Sequence, residues 1–231
     1  MLTRLAAALD HVEAQQVGTL HAMEQNFDAK ARRIRGVLSE LGVDSNKLAP
    51  HDAVGGPFVP PRLHADASAF DRQVQRVSIA RARAERLTRS LAALPLRKPV
   101  NGEPDLSSGF GMRIDPFLRS PAMHTGLDMK GESGDPVHAT AAGTVTIASW
   151  QGGYGKMIEV DHGNGLATRY GHLSRFDVPV GAKVKTGQVL GRVGSTGRST
   201  GPHLHYETRI DGEAVDPQKF LRAGQRLGFV N

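Results

Sequence analysis

Apolar residues recur at helical spacing through the first ninety-odd positions of the chain, then alternate over short segments divided by glycine. Leu2, Leu5, Leu9 and Val12 step by three and four. Leu20, Met23 and Phe27, then Ile34, Val37 and Leu41, resume the stepping after a phase shift around Gln16. This pattern predicts one long helix over about 2–42, with Gly42 close to Asp44 as its end. At ~1.5 Å per residue it would span about 60 Å. Phe70, Val74, Val77, Ala80, Ala84, Leu87, Leu91 and Leu94 mark a second helix over about 66–94, stopped by Pro95. Residues 43–65 hold Gly55-Gly56-Pro57 and Pro60-Pro61 and read as a linker. Neither helix can bury its stripe alone, so the simplest arrangement is an antiparallel coiled-coil hairpin, or pairing with another chain.

From about Pro99 the pattern predicts strands at Gly143 to Trp150, Lys156 to Asp161, Leu166 to Tyr170, Gln188 to Val193 and Leu204 to Ile210. Asp211-Gly212 after the last of these signals a tight hairpin turn. The expected fold class is α+β overall, a helical arm over 1–95 followed by an all-β domain over 96–231. At 231 residues with 39% apolar content, two units with a buried core are within reach.

Charge and composition narrow the picture. Residues 1–98 carry 15 Lys and Arg against 10 Asp and Glu, whereas residues 99–231 carry 14 against 13. The basic excess therefore belongs to the arm, along Arg72, Arg76, Arg81, Arg83, Arg86, Arg89, Arg97 and Lys98. Aromatic residues that would stack on bases are absent there, so a solvated helix face is expected and nucleic acid is not. The chain has no cysteine, which excludes disulfides and thiolate metal sites and leaves nitrogen and oxygen as ligands. No stretch approaches the ~20 apolar residues of a membrane span. Residues 1–20 also lack the charged start and apolar run of a signal peptide.

Two short signatures carry candidate chemistry: His124-Thr125-Gly126-Leu127-Asp128 and His203-Leu204-His205, with Gly171-His172-Leu173 between them. A hydrolytic zinc site needs three ligands drawn from imidazole and carboxylate and one open position. His124, Asp128 and one of the last two histidines can supply that set. On a strand His203 and His205 project to the same face, about 6 to 7 Å apart, so both can look into one site. Gly126, with Pro121 just before, predicts a loop running into a strand, the glycine letting the backbone pass close to the ion. Glu207 follows His205 after only one residue, which argues against the carboxylate spacing of a cupin site. His11, His21, His51, His64, His138 and His162 match no ligand position and are expected to be ordinary.

The order His-x-Gly-x-Asp, Gly-His-Leu, then His-x-His within Gly197 to Glu207 resembles the M23 peptidases, the lysostaphin and LytM-like zinc endopeptidases of bacterial cell walls. The likeness runs over roughly residues 99–221 and includes Ser108-Gly109-Phe110-Gly111-Met112-Arg113, Pro116, Gly152-Gly153-Tyr154-Gly155 and Gly187-Gln188-Val189-Leu190-Gly191. The resemblance implies one zinc ion per chain held by His124, Asp128 and His205, with His172 and His203 as the catalytic pair. It implies an antiparallel sheet with a groove for an extended peptide. It also implies a metalloendopeptidase that hydrolyses peptide cross-links of peptidoglycan through a zinc-activated water, with the arm controlling access or location.

For directly linked stems the bond would be D-alanine to diaminopimelate, which the coiled-coil architecture favours over a glycine bridge. The alternative is a non-catalytic or latent LytM-like scaffold that binds and activates another wall hydrolase, and retention of all five positions favours catalysis. The expected partners are a peptidoglycan peptide and a protein, or a second copy, on the arm. A periplasmic or cell-envelope location is the family expectation, with any export or membrane segment lying upstream of a trimmed Met1.

Overall fold

Helix α1 (Leu2–Glu40) stops where the backbone of Gly42 turns left-handed, at φ 71°. The Val43 N–H reaches back to the Leu38 carbonyl at 2.9 Å and the Gly42 N–H to Ser39 at 3.1 Å, which satisfies carbonyls that a helix end otherwise leaves open. Helix α2 (Ala69–Leu91) begins at a reciprocal cap. Ser68 Oγ accepts from the Asp71 N–H at 3.0 Å and Asp71 Oδ2 accepts from the Ser68 N–H at 3.1 Å. That cap sets the start at Ala69, three residues inside the expected range. The computed structural model describes residues 2–44, 48, 67–103, 105–115 and 119–229, so most of the expected 43–65 linker lies outside the described residues. By its contacts the chain divides into two units, Met1–Leu91 and Ala92–Asn231.

Within the first unit, Glu24 meets Gln73 at 2.7 Å and Arg76 at 3.6 Å, and Asp28 meets Arg83 at 3.7 Å. Partner numbers rise together, so α1 and α2 run in the same direction. This corrects the antiparallel hairpin expected from the two stripes. Periodicity alone is blind to direction, and the 28 residues between Glu40 and Ala69 suffice to bring the chain back alongside α1. Ala31, Ile34, Val37, Leu38 and Leu41 of α1 are buried, as are Val77, Ala80, Ala84, Leu87 and Leu91 of α2. Full burial of each large aliphatic side chain contributes ~1.5–3 kcal/mol. Leu5, Leu9 and Val12 continue the stripe but stand exposed, because α2 is 23 residues long against 39 for α1.

The second unit is built of antiparallel strands. They are β1 (Leu106–Ser108), β2 (Gly111–Ile114), β3 (Pro121–His124), β4 (Leu127–Lys130), β5 (Pro136–His138), β6 (Gly143–Trp150) and β7 (Lys156–Gly163). There follow β8 (Leu166–Leu173), β9 (Arg175–Phe176), β10 (Lys183–Val184), β11 (Val189–Arg192), β12 (His203–Ile210) and β13 (Glu213–Val215). The main sheet has the order β1-β4-β12-β8-β7-β6-β10, with β13 pairing β12; β5-β11-β9 and β2-β3 form two smaller sheets. Asn164-Gly165 joins β7 to β8 and Asp211-Gly212 joins β12 to β13, all four residues at positive φ as tight hairpins require. One helix, α3 (Pro217–Arg226), adds to the expected strands, capped by Asp216 Oδ1 accepting from the Gln218 N–H at 2.9 Å. Its Pro217 at the first turn is a helix-start signal that the alternation of the preceding strands masks.

Strand β12 shows how the sheet positions the site. Leu204, Tyr206 and Thr208 are fully buried on one face, while His203, His205 and Glu207 occupy the other. Beneath the sheet, Tyr206 Oη donates to Thr140 Oγ1 at 3.1 Å, and Tyr170 Oη lies 3.0 Å from Thr168 Oγ1 and accepts from the Thr140 N–H at 3.1 Å. This hydroxyl chain lets two buried tyrosines fill the core without losing a partner for either oxygen.

Candidate metal centre

Four strands bring the five candidate residues to one cavity of about 340 Å³. His124 ends β3, Asp128 lies on β4, His203 and His205 on β12, and His172 near the end of β8. The stretch from His124 to Asp128 is strand, a two-residue connection at Thr125-Gly126, and strand again, a difference from the loop expected ahead of β4. The cause is that β3 pairs with β2 in a sheet of its own, Gly111 facing His124. Gly126 makes the close passage that its position suggested: a Cβ there would stand 2.5 Å from the Tyr206 carbonyl oxygen and 2.9 Å from His205 Cε1.

Three ligand atoms converge. His124 Nε2 lies 3.2 Å from Asp128 Oδ1, His205 Nδ1 lies 2.9 Å from the same oxygen, and the two nitrogens are 3.2 Å apart. The other nitrogen of each ring settles its tautomer. His124 Nδ1 is 2.6 Å from the Gly109 carbonyl, which can only accept, so Nδ1 carries the proton. His205 Nε2 is 3.2 Å from Glu207 Oε1 and donates to it. In the neutral rings, therefore, two lone pairs and a carboxylate oxygen point at one another, an arrangement that a cation between them resolves. Burial alone would raise the Asp128 carboxyl, but the His124 and His205 rings, which donate to it when they carry a second proton, outweigh burial and hold the group well below the usual carboxylate range. Burial would likewise lower His205, yet Asp128 and Glu207 more than offset it and draw positive charge to the ring.

His172 and His203 stand beside this triplet, their ring centroids 4.7 Å apart. His172 Nδ1 donates to the Thr196 carbonyl at 2.8 Å and His203 Nδ1 to Gly201 at 2.7 Å, which leaves both Nε2 atoms with lone pairs. His203 Nε2 is 3.7 Å from Asp128 Oδ1. Burial pushes His172 down to about 4, with His203 and His205 adding to the effect and the bond to Thr196 opposing it, so that ring is neutral near pH 7.

Residues 122–217 match the sequence profile described as peptidase family M23. The C-terminal domain belongs to that family. The chain is 50% identical over 112 residues to DD-carboxypeptidase/endopeptidase Mpg of Neisseria meningitidis, covering 48% of this chain and 26% of that protein. It is 32% identical over 224 residues to peptidoglycan DD-endopeptidase ShyA of Vibrio cholerae, covering 92% and 49%. It is 34% identical over 189 residues to murein hydrolase activator EnvC of Escherichia coli, covering 69% and 45%. The chain thus spans about a quarter to a half of the length of these relatives.

The M23 domain contains a further element that the spacing argument passed over. Glu207 is fully buried on the site face of β12 and accepts from four groups: His205 Nε2, Thr125 Oγ1, Tyr154 Oη at 2.8 Å and Arg209 Nη1 at 2.5 Å. Burial would raise its carboxyl, but these donors, His205 and Thr125 foremost, hold it down to about 2. The same alternation that puts His203 and His205 on one face puts Glu207 there too, so the signal was in the sequence. His172 carries another feature without such a signal. Its φ is 59°, left-handed one residue before the end of β8, and the β7–β8 register shifts between Lys156 and Ile158 opposite it. That bulge turns the ring toward the cavity.

The remaining histidines that the structure describes lie outside the cavity. His11 and His21 are exposed on α1, His138 Nδ1 donates to the Gly187 carbonyl at 3.0 Å, and His162 bonds Ala142 and Thr168, each at 2.8 Å. His51 and His64 lie outside the described residues.

Proposed function

We propose that this chain is a zinc-dependent endopeptidase that hydrolyses peptide cross-links of bacterial peptidoglycan, at the D-alanine to diaminopimelate bond of directly linked stems. The observation that carries the reading is the convergence of His124 Nε2, Asp128 Oδ1 and His205 Nδ1 within 4.8 Å of one another. Two imidazoles and one carboxylate are a donor set that suits zinc and leaves a coordination position open. When bound, zinc supplies a more acidic water and a polarised carbonyl near neutral pH.

The chain's own residues do the rest. Gly109 and Glu207 hold the ligand rings in the tautomers that present a lone pair. His172 Nε2 and His203 Nε2 are the groups that accept a proton from the attacking water and return one to the carbonyl oxygen or the departing amine, each such role being worth ~10² to 10⁴ in rate. The relatives Mpg, named a DD-carboxypeptidase/endopeptidase, and ShyA, named a peptidoglycan DD-endopeptidase, support a peptidoglycan peptide as the substrate. With that substrate the site of action is the cell envelope, and the helical arm controls access or location there.

The likeness to EnvC, named a murein hydrolase activator, favours a second reading, a scaffold that activates another hydrolase. All five site residues are present and line one cavity, which weighs toward catalysis. Purified peptidoglycan treated with zinc-loaded wild type and with His203→Ala, which keeps all three proposed ligands, separates the two. Products of cross-link cleavage from wild type, identified by mass and reduced at least 100-fold in the variant, support the enzyme. No products from the zinc-loaded wild type overturn it in favour of the scaffold.

A further inference from the structure

The cavity has a charge that the proposed metal site does not use. Two acids line it: Asp128, a proposed ligand, and Asp115, which takes Arg198 Nη2 at 2.6 Å. Arg113 lines it as well, on β2, where it faces Ala122 two pairs along from the Gly111–His124 pair. Its side chain is about one-third exposed, and Nη2 is 3.4 Å from Asp128 Oδ2, a long contact to the carboxylate whose other oxygen faces the two histidines. With a divalent cation present, Asp128 offsets part of that charge. Among the described residues lining the cavity, the charge of Arg113 is then left for a substrate anion. A planar, permanently charged fork held on a paired strand suits an oxyanion such as a carboxylate.

The cross-link in the proposed reaction supplies that group. In a D-alanyl–diaminopimelate bond, the carbon bearing the amide nitrogen also bears a free carboxylate, whereas the D-alanine on the acyl side has none left. Resting on the peptidase reading, we infer that Arg113 is a specificity residue that binds the free carboxylate on the leaving-amine side of the scissile bond. The substrate class is therefore peptides whose departing residue carries a carboxylate one carbon from the amide nitrogen. This includes terminal D-alanine as well as cross-linked diaminopimelate, and excludes glycine bridges, whose next carboxyl is itself an amide. The reaction balances as simple hydrolysis: water adds hydroxyl to the D-alanine carbonyl and a proton to the departing nitrogen.

The test compares a cross-linked muropeptide with the same compound amidated at that carboxylate, using the zinc-loaded full chain, Arg113→Met and Arg113→Lys, with zinc content measured for each. Wild type should lose about 10- to 100-fold in kcat/KM on amidation, the usual effect of removing a charge-assisted pair. In Arg113→Met the ratio between the two substrates should fall to near one, and Arg113→Lys should recover part of it. Equal cleavage of both compounds by wild type overturns the inference and leaves the peptidase reading standing. Equal loss on both in Arg113→Met, or loss of its zinc, assigns Arg113 to holding Asp128 and also overturns it. No cleavage of either compound by wild type defeats the peptidase reading itself.

Discussion

Glu207 Oε1 lies 3.2 Å from His205 Nε2, on the edge of the ring away from the nitrogen that faces Asp128. A fully buried carboxylate thus fixes which nitrogen of His205 is available, and four donors keep it ionised. Carboxylate partners of this kind raise the basicity of a ligand imidazole, and losing one typically costs ~10- to 100-fold in metal affinity. Glu207→Gln, equal in size but neutral, should weaken zinc binding by about that factor while leaving all three ligands in place. Competition against a chelator of known affinity measures it. Unchanged affinity would mean that the ring is held by its packing alone.

Gly126 offers a steric counterpart. Its missing side chain leaves room for the Tyr206 carbonyl and the His205 ring, and a Cβ would press on both at 2.5 and 2.9 Å. The carbonyl belongs to the central strand β12 and cannot retreat without disturbing its pairing with β4. Gly126→Ala should destabilise the domain by about 1–3 kcal/mol, as overpacking does, and lower its zinc occupancy. Urea denaturation with and without zinc reads both; a variant as stable as wild type with full zinc would contradict the close passage.

Much of this site was legible in the sequence because strand alternation has a fixed period. His203 and His205 fall on one face whatever the rest of the chain does, and Asp211-Gly212 marks the end of their strand. What stayed hidden depends on pairing between distant segments. The Gly109 carbonyl that orients His124 and the Thr196 carbonyl that orients His172 are backbone groups with no side-chain signature. The direction of α2 was hidden for a related reason: stripes at helical spacing are the same read forward or backward, and contacts such as Glu24 with Gln73 and Asp28 with Arg83 decide it. Arg113 was visible as a residue, but its place beside Asp128 follows from the β2–β3 pairing.

The backbone at His172 carries a cost that substitution can expose. A left-handed residue with a Cβ is disfavoured by ~1–2 kcal/mol, and glycine escapes the penalty. His172→Ala and His172→Gly both remove the imidazole and should both lose activity. The glycine variant should nonetheless be about 1 kcal/mol more stable than the alanine variant, the reverse of their usual order in strands. Thermal or urea unfolding of the pair decides it, and an alanine variant of equal or greater stability would show that the local backbone relaxes once the ring is gone.

His162 ties the stability of the domain to pH independently of the metal. Its Nδ1 donates to the Ala142 carbonyl and its Nε2 faces Thr168 Oγ1, both at 2.8 Å, and burial lowers its pKa below the ordinary 6.5 despite the bond to Ala142. The folded state therefore holds the neutral ring, while the unfolded chain takes up a proton once pH falls below about 6.5. The sign follows: the stabilising contribution is present in full above 6.5 and is lost as pH falls from there through the lowered folded value. His162→Gln, which cannot titrate, should be less stable than wild type at pH 7.5 because it gives up a ring fitted to two partners. Its stability should also fall less steeply between pH 6.5 and 5. Urea midpoints for both proteins across that range, at fixed zinc, give the two slopes. Parallel slopes would mean that His162 is protonated as easily in the folded domain as in the unfolded chain.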